Sequence, residues 1–306
     1  MDIVRLNVGL VKIRVNMFRS IKVKIGETEV NVMEAGKGER SMVMVHGWTN
    51  NWVGLRPIAK ILAKKFRVIL VDLPGWGDSD RLKKYDLATE AKYLRKIIKK
   101  LNLKKPWLLG HSMGTYVVAK SYCDKPESVS GLILVGPVMR GRGRRVVKKF
   151  FSGIDKYSGL IGLTKKIIDT RYYSYWTSRF INMYKYDQKI VERYGLVGKR
   201  KMDGRAYVEM GKDLAETRIE ELIVNNKAPI MLLFGKQDKI TNRTRAEKIL
   251  KGRGNYEFRE IDQAGHLVTV EKPKETAREV EEWVEKIRRA RPAAAGLQTT
   301  GDKIGG

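Results

Sequence analysis

Five short stretches of this chain, residues 42–45, 68–71, 107–109, 132–135 and 230–234, carry only apolar side chains. A strand with one wet face alternates apolar and polar residues, so a run with no polar position is dry on both faces. Such runs are also far too short to cross a membrane, so other parts of the same chain must cover them. Between them, residues 53–65, 87–101 and those following 112 repeat their apolar positions with the helical period. A hairpin is expected where Ile21, Val23 and Ile25 meet Val30 and Val32 across Gly26-Glu27-Thr28, and a last strand at 256–261. The fold class is therefore α/β: a mostly parallel central sheet of about eight strands with helices on both faces.

Residues 138–225 break this rhythm. They hold eight of the 13 tyrosines and no wholly apolar run, which reads as a helical insertion. The expected organisation is an N-terminal extension at 1–19, a core made of 20–137 and 226–290, a helical cap at 138–225, and a disordered tail at 291–306. Residues 3–18 fit two templates, an alternating strand and a helix in which Arg5, Lys12 and Arg19 share a face. The helix would suit a membrane surface or a partner's groove; the strand is an extension packed on the domain.

The formal charge is +28, and it is diffuse: the insertion has 20 Lys and Arg against 10 Asp and Glu, and the remainder lies along the rest of the chain. A diffuse surplus with no recognition module gives no reason to expect a specific nucleic-acid partner. The acid-free basic run from Arg140 to Lys149 is either a solvated hinge or a gate that attracts anionic substrates or lipid headgroups. Charged residues at Asp2, Arg5, Lys12 and Arg14 interrupt any signal-peptide core. A cytoplasmic location is expected, with the inner membrane surface as a peripheral station. A single cysteine, Cys123, excludes an intramolecular disulfide and a cysteine metal site, and reads as a buried structural thiol.

The third apolar run ends in Gly110-His111-Ser112-Met113-Gly114 and passes into a helix. A strand, a sharp turn and a helix with serine at the apex form the nucleophile-elbow pattern, whose flanking positions must lack bulk. A serine nucleophile needs a base, a carboxylate to orient that base, and donors for the oxyanion. Ser112, Asp238 and His266 stand in the order that this pattern requires. The sequence has three histidines: His46 beside Gly47, His111 in the elbow, and His266 after the last strand. His46, Asp72, Ser112 and Gly136 all fall at carboxyl ends of predicted strands, where ligands bind in open α/β sheets.

On these residues the chain resembles the α/β-hydrolase superfamily, in its cap-bearing esterase and lipase-like branch. The match covers residues 20–290 and rests on His46-Gly47-Trp48, Asp72-x-Pro74-Gly75-x-Gly77-x-Ser79, Gly110-x-Ser112-x-Gly114, Asp238 and Gly265-His266. The resemblance implies that Ser112 attacks, that His266 is general base and then acid, and that Asp238 holds its tautomer. It implies an oxyanion hole from the backbone N–H groups of Trp48 and Met113. The alternative position for the acid, after the preceding core strand, reads Gly136-Pro137-Val138-Met139 and holds no carboxylate. His46 and His111 read as structural, and Asp72 as a loop organiser. Thr115 stands where many relatives carry glycine. A serine nucleophile argues against the branches that use aspartate, the haloalkane dehalogenases and epoxide hydrolases.

The expected chemistry is hydrolysis of a small-molecule carboxylic ester through an acyl-enzyme, without metal or organic cofactor. Trp48, Trp52, Trp76, Met139, Tyr175 and Trp176, with the tyrosine-rich insertion as a whole, are candidates for the lining of a pocket that takes an apolar or aromatic acyl group. The same triad also serves carbon–carbon bond hydrolases, thioesterases and perhydrolases. No acidic cluster of the kind that would hold a peptide amino terminus occurs in the insertion. A reading from another class is a surface-binding protein for anionic membranes or polyanions, built on a hydrolase scaffold.

Overall fold

The computed structural model describes residues 17–139, 144–224, 226–241, 243–252 and 256–290. The apolar runs become β3 (Ser41–Val45), β4 (Arg67–Val71), β5 (Trp107–His111), β6 (Gly131–Val135) and β7 (Ile230–Gly235). The hairpin forms β1 (Arg19–Ile25) and β2 (Thr28–Ala35), and β8 (Tyr256–Ile261) closes the far edge. All eight strands make one sheet in the order β1-β2-β4-β3-β5-β6-β7-β8. The pairs β1–β2 and β2–β4 are antiparallel; every pair from β4 to β8 is parallel.

Successive residues of a strand point to opposite faces, and here each face meets its own core. Val43, Val45, Ile69 and Val71 pack with α2 (Leu87–Lys100) and α3 (Met113–Asp124). Met42, Met44, Val68 and Leu70 pack with α1 (Arg56–Leu62) and the C-terminal helix Pro273–Ala290. On that second face Trp107 and Trp283 meet edge to face, with ring centroids 5.4 Å apart. Each such buried aliphatic side chain contributes about 1.5–3 kcal/mol, so the strand ends are held by a stiff frame. The predicted helix at 53–65 is shorter, because Trp52–Leu55 forms a 3-10 turn capped by the Asn51 side chain before α1 begins.

Between β6 and β7 the described residues are helical, with no strand. They form α4 (Arg144–Asp155), α5 (Ser158–Ile168), α6 (Arg171–Thr177), a π-helical turn at Ser178–Asn182, a helix at Leu196–Arg200 and a longer one at Gly204–Glu216. The last of these buries Ala206, Tyr207, Val208 and Met210 against the sheet domain. Cys123 corrects an expectation: it lies at the end of α3 with its residue surface exposed, and its thiol donates to the Leu222 carbonyl. The strand-or-helix question for residues 3–16, the run 140–143 and the tail 291–306 lie outside the described residues. No helix among the described residues is long and apolar enough to cross a membrane.

Candidate active site

β5 ends at His111 and α3 begins at Met113, so the chain reverses on Ser112 alone. Its backbone sits at φ +51°, ψ −115°, a conformation that costs a non-glycine residue about 1–3 kcal/mol. The surroundings enforce it. The Ser112 N–H donates to Val135 O at 2.9 Å, and both the N–H and the hydroxyl of Thr115 donate to Ser112 O, at 2.9 and 2.5 Å. A Cβ on Gly110 would lie 2.3 Å from the Gly114 carbonyl oxygen, and one on Gly114 would lie 2.3 Å from Val45 O. The two flanking glycines are thus a condition of the turn.

The loop after β7 brings Asp238, and the loop after β8 brings His266, to this apex. His266 Nε2 lies 2.9 Å from Ser112 Oγ, and His266 Nδ1 lies 2.8 Å from Asp238 Oδ2. A carboxylate against Nδ1 fixes the proton there and leaves Nε2 to accept from the serine hydroxyl. Burial alone would raise the Asp238 carboxyl, but His266, the Thr241 hydroxyl and the Ile240 N–H outweigh it and hold the group below its usual range. Gly136, at φ +59°, leaves space for the ring: a Cβ there would approach His266 Cε1 to 3.2 Å. The arrangement can move a proton from Ser112 to His266 while Asp238 stays ionised.

The other two histidines hold loops. His46 is fully buried, and burial lowers its pKa to about 4 against the pull of the Gly47 carbonyl, so it is neutral. Because the Leu73 N–H donates to Nε2, the His46 proton resides on Nδ1 and is donated to Gly47 O at 2.8 Å. His111 is likewise held neutral, at about 4, by burial and then by the nearby His266; its Nε2 lies 2.9 Å from His266 O. Asp72 ties three segments: it accepts from the Trp52 N–H, the Asn31 amide and the Asp78 N–H. Burial raises it to about 6 despite these donors.

The helical insertion is stitched to the histidine loop. Asn182 O accepts the N–H groups of His266, at 2.7 Å, and Leu267, at 3.2 Å. The Glu271 carboxylate takes the Gly265 N–H with one oxygen and the Tyr184 N–H with the other.

A cavity of about 230 Å³ opens over Ser112 and His266. Its walls include Trp48, Tyr173, Thr177, Ile181, Lys199, Tyr207 and Ile240. The Trp48 ring stacks on Tyr207 at 4.4 Å, its indole N–H reaches Tyr207 O, and its carbonyl takes the Trp76 indole N–H at 2.6 Å. The backbone N–H groups of Trp48 and Met113 make no hydrogen bond among the described residues. A larger, open groove between residues 183–190 and Glu271 contains none of the three site residues. Among the described residues no three His, Cys, Asp or Glu side chains are grouped to hold a metal ion.

The family model for the alpha/beta hydrolase fold matches residues 40–273. The chain belongs to the α/β-hydrolase family. Its relatives include the hydrolase YugF of Bacillus subtilis, 23% identical over 81% of this chain and 90% of its own length. A 2-hydroxy-6-oxononadienedioate/2-hydroxy-6-oxononatrienedioate hydrolase of Paraburkholderia phymatum is 25% identical over 78% of this chain and 85% of its own. A monoacylglycerol lipase of Homo sapiens is 25% identical over 78% and 73%. Among solved structures, a thermophilic esterase from Thermogutta terrifontis aligns with a TM-score of 0.68 at 19% identity, covering 89% of this chain and 99% of that one.

Within this α/β-hydrolase the aromatic expectations divide. Trp48 lines the cavity, and five other candidates do not. Trp52 packs against Phe18 in the core on the other side of the sheet. Trp76 is fully buried beneath Trp48, and Met139 is buried in the core after β6. Tyr175 donates to Glu192, and Trp176 is 47% exposed beside Phe180. Helix α6 turns Tyr173 and Thr177, four residues apart and so on one face, toward the cavity, which carries Tyr175 and Trp176 away from it. That i,i+4 spacing was readable in the sequence, but aromatic residues surround the helix and hide which face is inward. Tyr173 and Tyr207 belong to the tyrosine-rich insertion expected to line the pocket, whereas Thr177, Ile181, Lys199 and Ile240 are wall residues that the sequence pattern missed.

Proposed function

We propose that this hydrolase cleaves carboxylic esters through an acyl-enzyme on Ser112. The observation that carries the reading is the continuous line Ser112 Oγ to His266 Nε2 at 2.9 Å and His266 Nδ1 to Asp238 at 2.8 Å. In it His266 takes the serine proton as the acyl carbon is attacked, returns it to the leaving alcohol, and then activates the water that releases the acid. Asp238 supports the imidazolium without taking its proton. The unengaged amides of Trp48 and Met113 are the oxyanion donors in this reading, and losing one such donor costs about 3 kcal/mol of barrier. Residues 138–225 act as the cap, closing the cavity with Tyr173, Thr177, Ile181 and Tyr207 around an apolar or aromatic acyl group. The lipase among the relatives supports an ester. The oxononadienedioate hydrolase keeps carbon–carbon cleavage as the competing chemistry.

The test is a panel of p-nitrophenyl esters from short to long acyl chains, with a fluorophosphonate probe for the nucleophile. Turnover and labelling that both vanish in Ser112→Ala are the expected result. Ester turnover that persists in that variant, or an unlabelled Ser112, overturns the reading.

A second observation bears on where the enzyme works. In α4 and α5 and the turn between them, Val146 is 71% exposed, Phe150 61% and Tyr157 63%, beside Lys148, Lys149 and Lys156. Apolar side chains in solvent among cations match an anionic lipid surface, and we propose that this face docks the enzyme there. Sedimentation with phosphatidylserine vesicles at low salt, but not with phosphatidylcholine vesicles, is expected; equal binding to both refutes docking.

A further inference from the structure

Lys199 lines the cavity over Ser112, yet it is only 5% exposed. Its ammonium lies 3.1 Å from Ser174 Oγ, 3.4 Å from Thr177 Oγ1 and 4.9 Å from the centre of the Tyr173 ring. None of these carries a negative charge. Other lysines of the insertion differ: Lys165 pairs with Asp169, Lys201 with Asp78 and Lys212 with Asp155. No carboxylate pairs with Lys199 among the described residues.

Burying an ammonium without a counter-charge costs several kcal/mol, and a methionine of similar length would fill the same space without that cost. Burial does pull the Lys199 pKa down, but only to about 8, so the group remains mainly protonated at neutral pH. A lysine has three donors, and the two hydroxyls take two of them, which leaves one N–H to donate to a stronger acceptor. The cavity that leads to Ser112 also gives access to Lys199. Lys199 is the one Lys or Arg among the lining residues, so its charge matches a single carboxylate rather than a phosphate monoester with nearly two charges.

We propose that Lys199 binds a carboxylate carried by the substrate, making half-acid esters of dicarboxylic acids the preferred class. The proposal rests on the esterase reading for its chemistry, but the carboxylate subsite is measurable without turnover. Monomethyl adipate and dimethyl adipate differ by one charge, and calorimetry on the Ser112→Ala protein compares them directly. The half-acid is expected to bind roughly 10- to 100-fold more tightly than the diester, as for a charge-assisted hydrogen bond in a buried site. That preference is expected to vanish in Ser112→Ala carrying Lys199→Met or Lys199→Gln, with diester affinity retained. Lys166→Met, which removes an exposed charge of the same insertion, is expected to keep it.

Equal binding of the two ligands before Lys199 is changed overturns the proposal, as does absence of measurable half-acid binding. Parallel loss of both ligands in both Lys199 variants shows a structural role and overturns it too. A kinetic arm separates this from the parent reading: for Lys199→Met the ratio of kcat/KM for mono-p-nitrophenyl adipate to that for p-nitrophenyl hexanoate is expected to fall about 10- to 100-fold. Failure of the esterase reading would instead remove turnover of both esters and leave the binding preference in place.

Discussion

Every residue of β5, β6 and β7 is buried, whereas α4 and α5 leave Val146, Phe150, Leu163 and Ile167 at 52–71% exposure. The first region is a frame fixed on both sides by apolar contact; the second covers the frame with one face and offers the other to its surroundings. The division matches the two demands on the site. Ser112, Asp238 and His266 must keep hydrogen-bond distances to a few tenths of an ångström, and all three follow directly from strands of the frame. Tyr173, Thr177 and Lys199 form walls, and all come from the insertion. In the proposed reading, what reacts is set by the sheet, and what enters is set by the helices laid over it.

This contrast can be broken in several ways. The largest effect belongs to the apex: Ser112→Ala should lower ester turnover about 10⁴- to 10⁶-fold while Tyr173→Ala, in the insertion, changes mainly the ranking of short and long acyl chains. A comparable loss of turnover for every ester in Tyr173→Ala would show that the insertion takes part in the chemistry. Next comes packing. Trp283→Ala, in the sheet core, should cost about 3–5 kcal/mol in urea unfolding.

Glu90, on α2 packed against the frame, sharpens the comparison, because it is a buried ionisable group with no hydrogen-bond partner on either oxygen among the described residues. Burial, and then the charge of Asp86, push its carboxyl well above the ordinary range. The folded chain thus keeps a proton that the unfolded chain loses once pH passes the ordinary carboxyl value. Stability falls as pH rises through that window. Glu90→Gln keeps the shape and removes the titration, so its advantage over the parent should grow with pH by up to about 1.4 kcal/mol per unit. Unfolding measured at pH 5, 6 and 7 tests this; a constant difference would mean that Glu90 is charged in the fold. The smallest effect is expected from Trp176→Ala, within about 0.5 kcal/mol, because its ring is half in solvent. A cost near that of Trp283→Ala would show that the outer face of α6 is covered in solution.

The same contrast explains what could be read in the sequence. A strand buried on both faces leaves no room for polar residues, so the frame announces itself in runs such as 132–135 and 230–234. The order Ser112, Asp238, His266 is visible because the chain visits the strand ends in sequence. The walls are not legible in that way. Tyr172, Tyr173, Tyr175 and Trp176 place an aromatic group on nearly every side of α6, so no stripe marks the inward face. Lys199 stands in the run Lys199-Arg200-Lys201, which reads as solvated charge until packing buries the first of the three and leaves the others exposed. Trp52 misleads for the opposite reason: it follows the loop of Trp48 closely in sequence, but the intervening turn carries it to the other side of the sheet.

Asn182 O takes the amides of His266 and Leu267, and Glu271 bridges Gly265 and Tyr184. The covering helices therefore cannot be exchanged as an independent cassette. A chimera that replaces residues 144–224 with the corresponding segment of another enzyme must supply a carbonyl at the place of Asn182 and an amide at that of Tyr184. Without them the graft takes the acceptor from two amides of the loop that holds the imidazole and a donor from the Glu271 carboxylate that braces it, and is expected to lose rate on every substrate before its own selectivity can be expressed.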